Sequence, residues 1–153
     1  TSLELNRVTV GRYIDLLEKS FIIFRLSGFS RNLRKEVTKM DKIYFYDTGV
    51  RNAIIGNFNL LNSRDDVGKL WENFLIVERM KKLHYEQKLF SLYFWRLSSG
   101  AEMDLVEETE GELHGFEYKY GKKIVKLPSS WTLGYPNATV TLVNQNNWQE
   151  FAV

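Results

Sequence analysis

Apolar residues at Val10, Tyr13, Ile14 and Leu17 recur at the three-and-four spacing of an amphipathic helix. Thr9 precedes them as a candidate N-cap and the pattern stops near Lys19, which predicts a short buried helix. The period then changes. Residues 21–26 form a β-rich run closed by Ser27-Gly28, and residues 42–46 form a second one beyond a basic, polar stretch. Asp47-Thr48-Gly49 predicts a capped turn, followed by a short helix over 50–55 that Gly56 stops. A longer helix is expected from Asp66 to about Leu83, capped by Asp65 or Asp66, with Leu70, Phe74, Val77 and Met80 on one face and Trp71 and Leu75 widening it. Three β-rich runs follow at 91–97, 102–108 and 113–120, joined by turns at Ser98-Ser99-Gly100 and Glu110-Gly111, the pattern of an antiparallel meander. Residues 128–133 suit a short helix, and 138–143 a buried strand that re-enters the sheet beside the meander.

The fold class expected is α/β, of the α+β kind, in two units. Helix, strand, basic loop and strand over residues 1–48 outline the back half of a winged helix, whose earlier helices would lie before Thr1. Residues 49–153 carry the order helix, three strands, helix, strand.

Composition narrows the function classes. The 153 residues are 44% hydrophobic and 14% aromatic with only 2 Pro, which is ordinary for a folded domain rich in strands. With no cysteine there is no disulfide framework, thiolate metal site or cysteine nucleophile. Phe21-Ile22-Ile23-Phe24 is far short of the roughly 18 apolar residues of a membrane span, no signal peptide is visible, and a cytoplasmic location with no membrane partner is expected. Charge is uneven: residues 1–42 hold nine Lys or Arg against five Asp or Glu, the remainder twelve against fourteen. Arg31, Arg34, Lys35, Lys39 and Lys42 are dense enough to track a nucleic-acid backbone from a wing, and a solvated loop explains them equally well. Consecutive aromatics at Tyr44, Phe45 and Tyr46 suit packing on both faces of a covered sheet better than base stacking. His84 and His114 have no partner at ligand spacing and are expected at the surface.

The chemistry-bearing constellation lies on the meander. Glu117 and Lys119 are two apart on its third strand, so they leave one face while Phe116, Tyr118 and Tyr120 leave the other; Asp104 stands on the second strand. Two carboxylates and an amine supply what phosphodiester hydrolysis requires: oxygen ligands for a hard cation such as Mg²⁺, here Asp104 and Glu117, and a positive charge near the attacking water, here Lys119. Glu72 on the preceding helix is a further carboxylate, ahead of Glu78, and Glu102 is an additional one. The same residues also make sense as a partly exposed ion-pair cluster without catalysis.

Asp104 followed by Glu117-Tyr118-Lys119 on a hairpin after a helix resembles the PD-(D/E)xK pattern of the restriction-endonuclease superfamily, although no proline precedes Asp104. More specifically, Lys42-Ile43-Tyr44-Phe45-Tyr46-Asp47-Thr48-Gly49, then Gly68-Lys69-Leu70-Trp71-Glu72-Asn73-Phe74, then Phe94-Trp95-Arg96 with Gly100-Ala101-Glu102-Met103-Asp104-Leu105-Val106, resemble the domain of unknown function found carboxy-terminal to the ATPase in prokaryotic AAA-type ATP-binding proteins. That resemblance implies a restriction-endonuclease-like mixed sheet with a flanking helix, preceded by a partial winged helix. It also implies an ATPase partner in the same protein, with ATP bound only there, since this chain has no Gly-x-x-x-x-Gly-Lys-Ser/Thr loop. The expected activity is a Mg²⁺-dependent endonuclease on DNA. Its alternative is a non-catalytic assembly module of the ATPase with a decayed site.

Overall fold

A computed structural model describes residues 6–31, 40–121 and 127–153. Among them, one six-stranded mixed sheet and five α-helices make an α+β fold. Helix α1 (Arg7–Lys19) leads to β1 (Ile23–Gly28) and β2 (Lys42–Phe45); α2 (Thr48–Ile55) and a single 3₁₀ turn (Leu61–Ser63) precede the long α3 (Val67–Tyr85). The meander β3 (Phe90–Arg96), β4 (Glu102–Thr109) and β5 (Glu112–Tyr118) follows, then α4 (Ser129–Gly134), β6 (Thr139–Val143) and α5 (Trp148–Ala152). No helix of the described residues is long and apolar enough to cross a membrane.

The strand order is β2-β1-β3-β4-β5-β6. β1 pairs antiparallel with β2 and parallel with β3, so the first two strands and the meander share one sheet. β3, β4 and β5 are mutually antiparallel, as their alternation and turns predict, and β6 lies parallel to β5. The β4–β5 turn places Glu110 at φ 54° and Gly111 at φ 84° between the paired Thr109 and Glu112, the left-handed pair that a two-residue hairpin needs.

Both faces of the sheet are covered. Leu75, Ile76 and Val77 of α3 and Phe151 of α5 pack with Phe94, Leu105, Phe116 and Val143 on one side. Trp131 and Tyr135 of the α4 segment pack with Trp95, Met103 and Val106 on the other. This double covering explains why residues 103–107 are buried without a break instead of alternating.

Four expectations change in the structure. α1 begins at Arg7, with Asn6 as its cap accepting from the Thr9 N–H, so Thr9 sits inside the first turn. Its apolar stripe is not buried: Tyr13 is 56% and Val10 40% exposed. β1 starts at Ile23 because Phe21, at φ 56°, closes α1; the N–H groups of Phe21 and Ile22 turn back to Glu18 and Leu17. Asp66 stands at the N-cap of α3 but its side chain binds Arg64 and Arg51, which hold its carboxyl well below the usual range.

Candidate functional site

The site forms where β4 and β5 part, because β4 carries a bulge there. Tyr93 pairs with Val106 and Trp95 with Met103, so β4 spends three residues where β3 spends two. The extra residue falls at Asp104–Leu105: Leu105 packs on the α3 face while Met103 and Val106 both pack on the α4 face. Asp104 is thereby released from regular alternation, and its carboxylate accepts the Tyr118 N–H at 2.8 Å.

Four elements bring polar side chains to this point. Asp104 and Glu117 are 8% and 7% exposed. Lys119 Nζ lies 2.9 Å from Glu117 Oε1, with its own side chain about a third exposed, while Glu117 Oε2 is buried without a hydrogen-bond partner. On α3, Glu72 Oε1 accepts the Tyr44 hydroxyl at 2.5 Å and stands 3.1 Å from Lys42 Nζ, both from β2. The hydroxyl of Tyr118 is also buried and unpartnered.

The electrostatics follow from gathering carboxylates in a dry place. Burial, then the charges of Glu72 and Glu117, push the Asp104 carboxyl up to about 7; the Tyr118 N–H and Lys42 pull the other way without prevailing. For Lys119 burial opposes the charge, but the hydrogen bond and charge of Glu117, with Asp104 and Glu102, outweigh it and raise its pKa. Lys119 is therefore an ammonium at neutral pH.

Lys119 is thus joined to Glu117, and Asp104 feels the charges of both Glu72 and Glu117. Glu102 is exposed, 3.8 Å from Arg96, and Glu78 pairs with Lys81 on the helix surface. Arg31 pairs with Glu108 and lies 5.7 Å from the Phe29 ring centroid. Lys42 points to Glu72, while Arg34, Lys35 and Lys39 lie outside the described residues. His84 is exposed and His114 meets Thr139 across the β5–β6 pair. Tyr44 and Lys42, which the sequence does not single out as residues of this site, are neighbours of Glu72. Their two-residue spacing puts them on one face of a strand, but nothing local to either residue points to Glu72 on α3.

A cation fits the donor set in part. Among the described residues no three His, Cys, Asp or Glu side chains gather closely enough to hold a metal ion. The Asp104 and Glu117 carboxylates influence each other electrostatically, and Glu117 Oε2 is an oxygen donor without a hydrogen bond; Mg²⁺ is commonly held by one or two carboxylates and water. Two cavities lie elsewhere: one of about 830 Å³ under α4, walled by Trp95, Leu113 and Tyr135, and one of about 240 Å³ walled by Trp71, Phe74 and Tyr120.

Comparison with known proteins divides the chain in two. Residues 1–61 match the model of a domain of unknown function, DUF8612, and residues 67–129 match that of another, DUF4143. Uncharacterized proteins of Mycobacterium bovis and Mycobacterium tuberculosis are each 32% identical over 120 residues, or 77% of this chain. The match spans 26% of the length of those relatives. No solved structure matches.

Proposed function

We propose that this chain is a nuclease-like domain with a Mg²⁺-dependent phosphodiesterase site, acting on DNA in concert with an AAA-type ATPase module of the same protein. The observation that carries the proposal is that Asp104 and Glu117 are both buried and act on each other electrostatically, with an orphaned Glu117 oxygen and an Asp104 carboxyl raised to about 7. Carboxylates crowded out of water are unfavourable unless a positive species joins them. The helix, meander and returning β6 support a restriction-endonuclease-like core, and α1, β1 and β2 support a partial winged helix before it. Association with an ATPase is supported by the DUF4143 match, a family typical of AAA-ATPase-associated proteins.

Asp104 and Glu117 would hold the cation, which when bound supplies a polarised phosphoryl oxygen and a more acidic water. Asp104 must be ionised for that role, and a neighbouring divalent charge favours ionisation. Lys119, kept protonated by Glu117, stabilises negative charge developing on phosphate and is not a base. Arg31 and the basic stretch behind it would meet the DNA backbone.

A second function is favoured by one specific arrangement: Lys119 is committed to Glu117, and Glu72 to Lys42 and Tyr44. A cluster that neutralises itself suits a non-catalytic assembly module. Calorimetry with Mg²⁺ and Mn²⁺ on the chain and on Asp104→Ala and Glu117→Ala, beside a plasmid-cleavage assay, separates the two. Binding lost in both variants together with metal-dependent cleavage supports the nuclease; no cleavage at millimolar metal supports the assembly module.

A further inference from the structure

The cavity under α4 follows from how that helix is attached. α4 has six residues and reaches the sheet through rings: Trp131 stands over Gly115, and Tyr135, just past the helix, packs on Phe29 with centroids 5.4 Å apart. Trp131 also meets Tyr135 at 4.6 Å and Trp95, edge to face, at 5.3 Å. Side chains this large and this buried prop the helix, and the space of about 830 Å³ beside them stays open. That volume lies within the range of about 300–1,000 Å³ in which proteins receive small organic ligands. None of Asp104, Glu117 and Lys119 is among its described walls, so it stands apart from the nuclease reading.

Its walls are apolar with charge at one point. Trp95, Leu113 and Tyr135 are buried, and Leu133, which also lines it, is 82% exposed. A wall of this kind is covered favourably by an apolar ring system. Arg31 lines the same cavity: its Nη2 donates to Glu108 at 2.5 Å, and its backbone N–H donates to the Tyr135 hydroxyl at 3.4 Å. A guanidinium carries five N–H donors, and among the described residues Glu108 takes one of those on Arg31. The others are free to meet a carboxylate. Glu108 beside Arg31 and Glu112 in the wall repel a polyanion, so the site suits a single negative charge.

We propose that the cavity under α4 is a binding site for a small organic acid, with an apolar ring system against Trp95, Leu113 and Tyr135 and one carboxylate on Arg31. The site draws on separate stretches of the chain. Arg31 belongs to the part matching DUF8612, Trp95 and Leu113 to the part matching DUF4143, and Tyr135 lies past both. An occupant therefore bridges stretches that local pattern reads as separate units, and it stabilises the fold by mass action because the unfolded chain has no such cavity.

Calorimetric titration at neutral pH with 2-naphthoate and with its neutral amide tests the site. Naphthoate should bind one molecule per chain, on the order of tenfold more tightly than the amide, and raise the melting temperature. Arg31→Met should remove that difference by weakening naphthoate alone, and Arg31→Lys, which keeps the charge, should fall between. Gly134 lines the cavity without a positive φ, and a Cβ there meets nothing within 4 Å, so Gly134→Phe adds a ring at the wall and should abolish binding of both probes. If that variant fails to fold, the indole N–H resonance of Trp95 decides: it should shift on binding while that of Trp148, which is not in the cavity wall, stays in place. Adhesion to the exposed stripe of α1 is the competing outcome, and Leu16→Ser should leave the affinity for naphthoate unchanged. No binding at millimolar naphthoate, equal affinity for acid and amide, an Arg31→Met effect shared by both probes, an unmoved Trp95 resonance, or loss of binding in Leu16→Ser overturns the proposal.

Discussion

The Asp104 carboxylate accepts the backbone N–H of Tyr118, just beyond Leu105 and Phe116, the last residues at which β4 and β5 pair. A side chain replaces a ladder carbonyl, which is why an acidic group can be seated between two strands of a covered sheet. The bond favours the ionised form, yet burial and the nearby Glu72 and Glu117 overcome it. Ionised Asp104 consequently opposes folding.

That conclusion has a definite pH signature. The folded-state pKa of about 7 lies above the ordinary 3.8, so the contribution of neutral Asp104 is fully present below pH 4 and is lost as pH rises through 7. Asp104→Asn keeps an acceptor for the Tyr118 N–H without the charge. It should be more stable than the parent at pH 8 by at most about 4 kcal/mol, and nearly equal to it at pH 4. Urea denaturation at several pH values in chelator measures this, and a difference that does not change with pH would refute it.

Asn73→Ala removes both partners of the Phe45 peptide at the outer edge of β2. The loss should be about 2 kcal/mol, since each freed group keeps some access to water at a sheet edge. Hydrogen exchange is the sharper check. The Phe45 amide should exchange markedly faster while β4 amides keep their protection; equal protection in both proteins would show that the clamp is dispensable.

Arg79 forms two hydrogen bonds to Glu107, at 2.7 and 3.0 Å, and a third to Phe151 O at 2.9 Å. Glu107 is only 2% exposed. Arg79→Met would strand that carboxylate in the core and should destabilise by about 3–5 kcal/mol. Adding Glu107→Gln should restore part of the loss by removing the buried charge, a non-additivity readable in urea melts.

Gly115 lies under Trp131, and a Cβ there would stand 3.2 Å from Met103 Cε and from Trp131 Cε2 and Nε1. The Met can yield but the buried indole ring has little room. Gly115→Ala should therefore lower stability by about 1–3 kcal/mol. A thermal melt indistinguishable from the parent would mean that Trp131 can shift.

The amino-acid sequence by itself determined the kinds and order of the elements, because period and punctuation are local. The three-and-four-residue recurrence along α3, the alternation of the meander and the Glu110-Gly111 turn were all legible without a fold. Strand parity likewise put Glu117 and Lys119 on one face and Phe116 and Tyr118 on the other, and the latter two do pack in the α3-side core. What only tertiary structure decided depends on residues far apart in the chain. The bulge at Asp104 arises from how β3 and β5 pair with β4 on either side of it. The parallel pairing of β1 with β3 merges two stretches that local pattern reads as separate units. Lys42 found a carboxylate partner on α3, and Glu72 found two donors on β2. The exposed stripe of α1 makes the same point in reverse: amphipathic spacing establishes that a face is apolar, but whether anything covers it is settled by the rest of the fold.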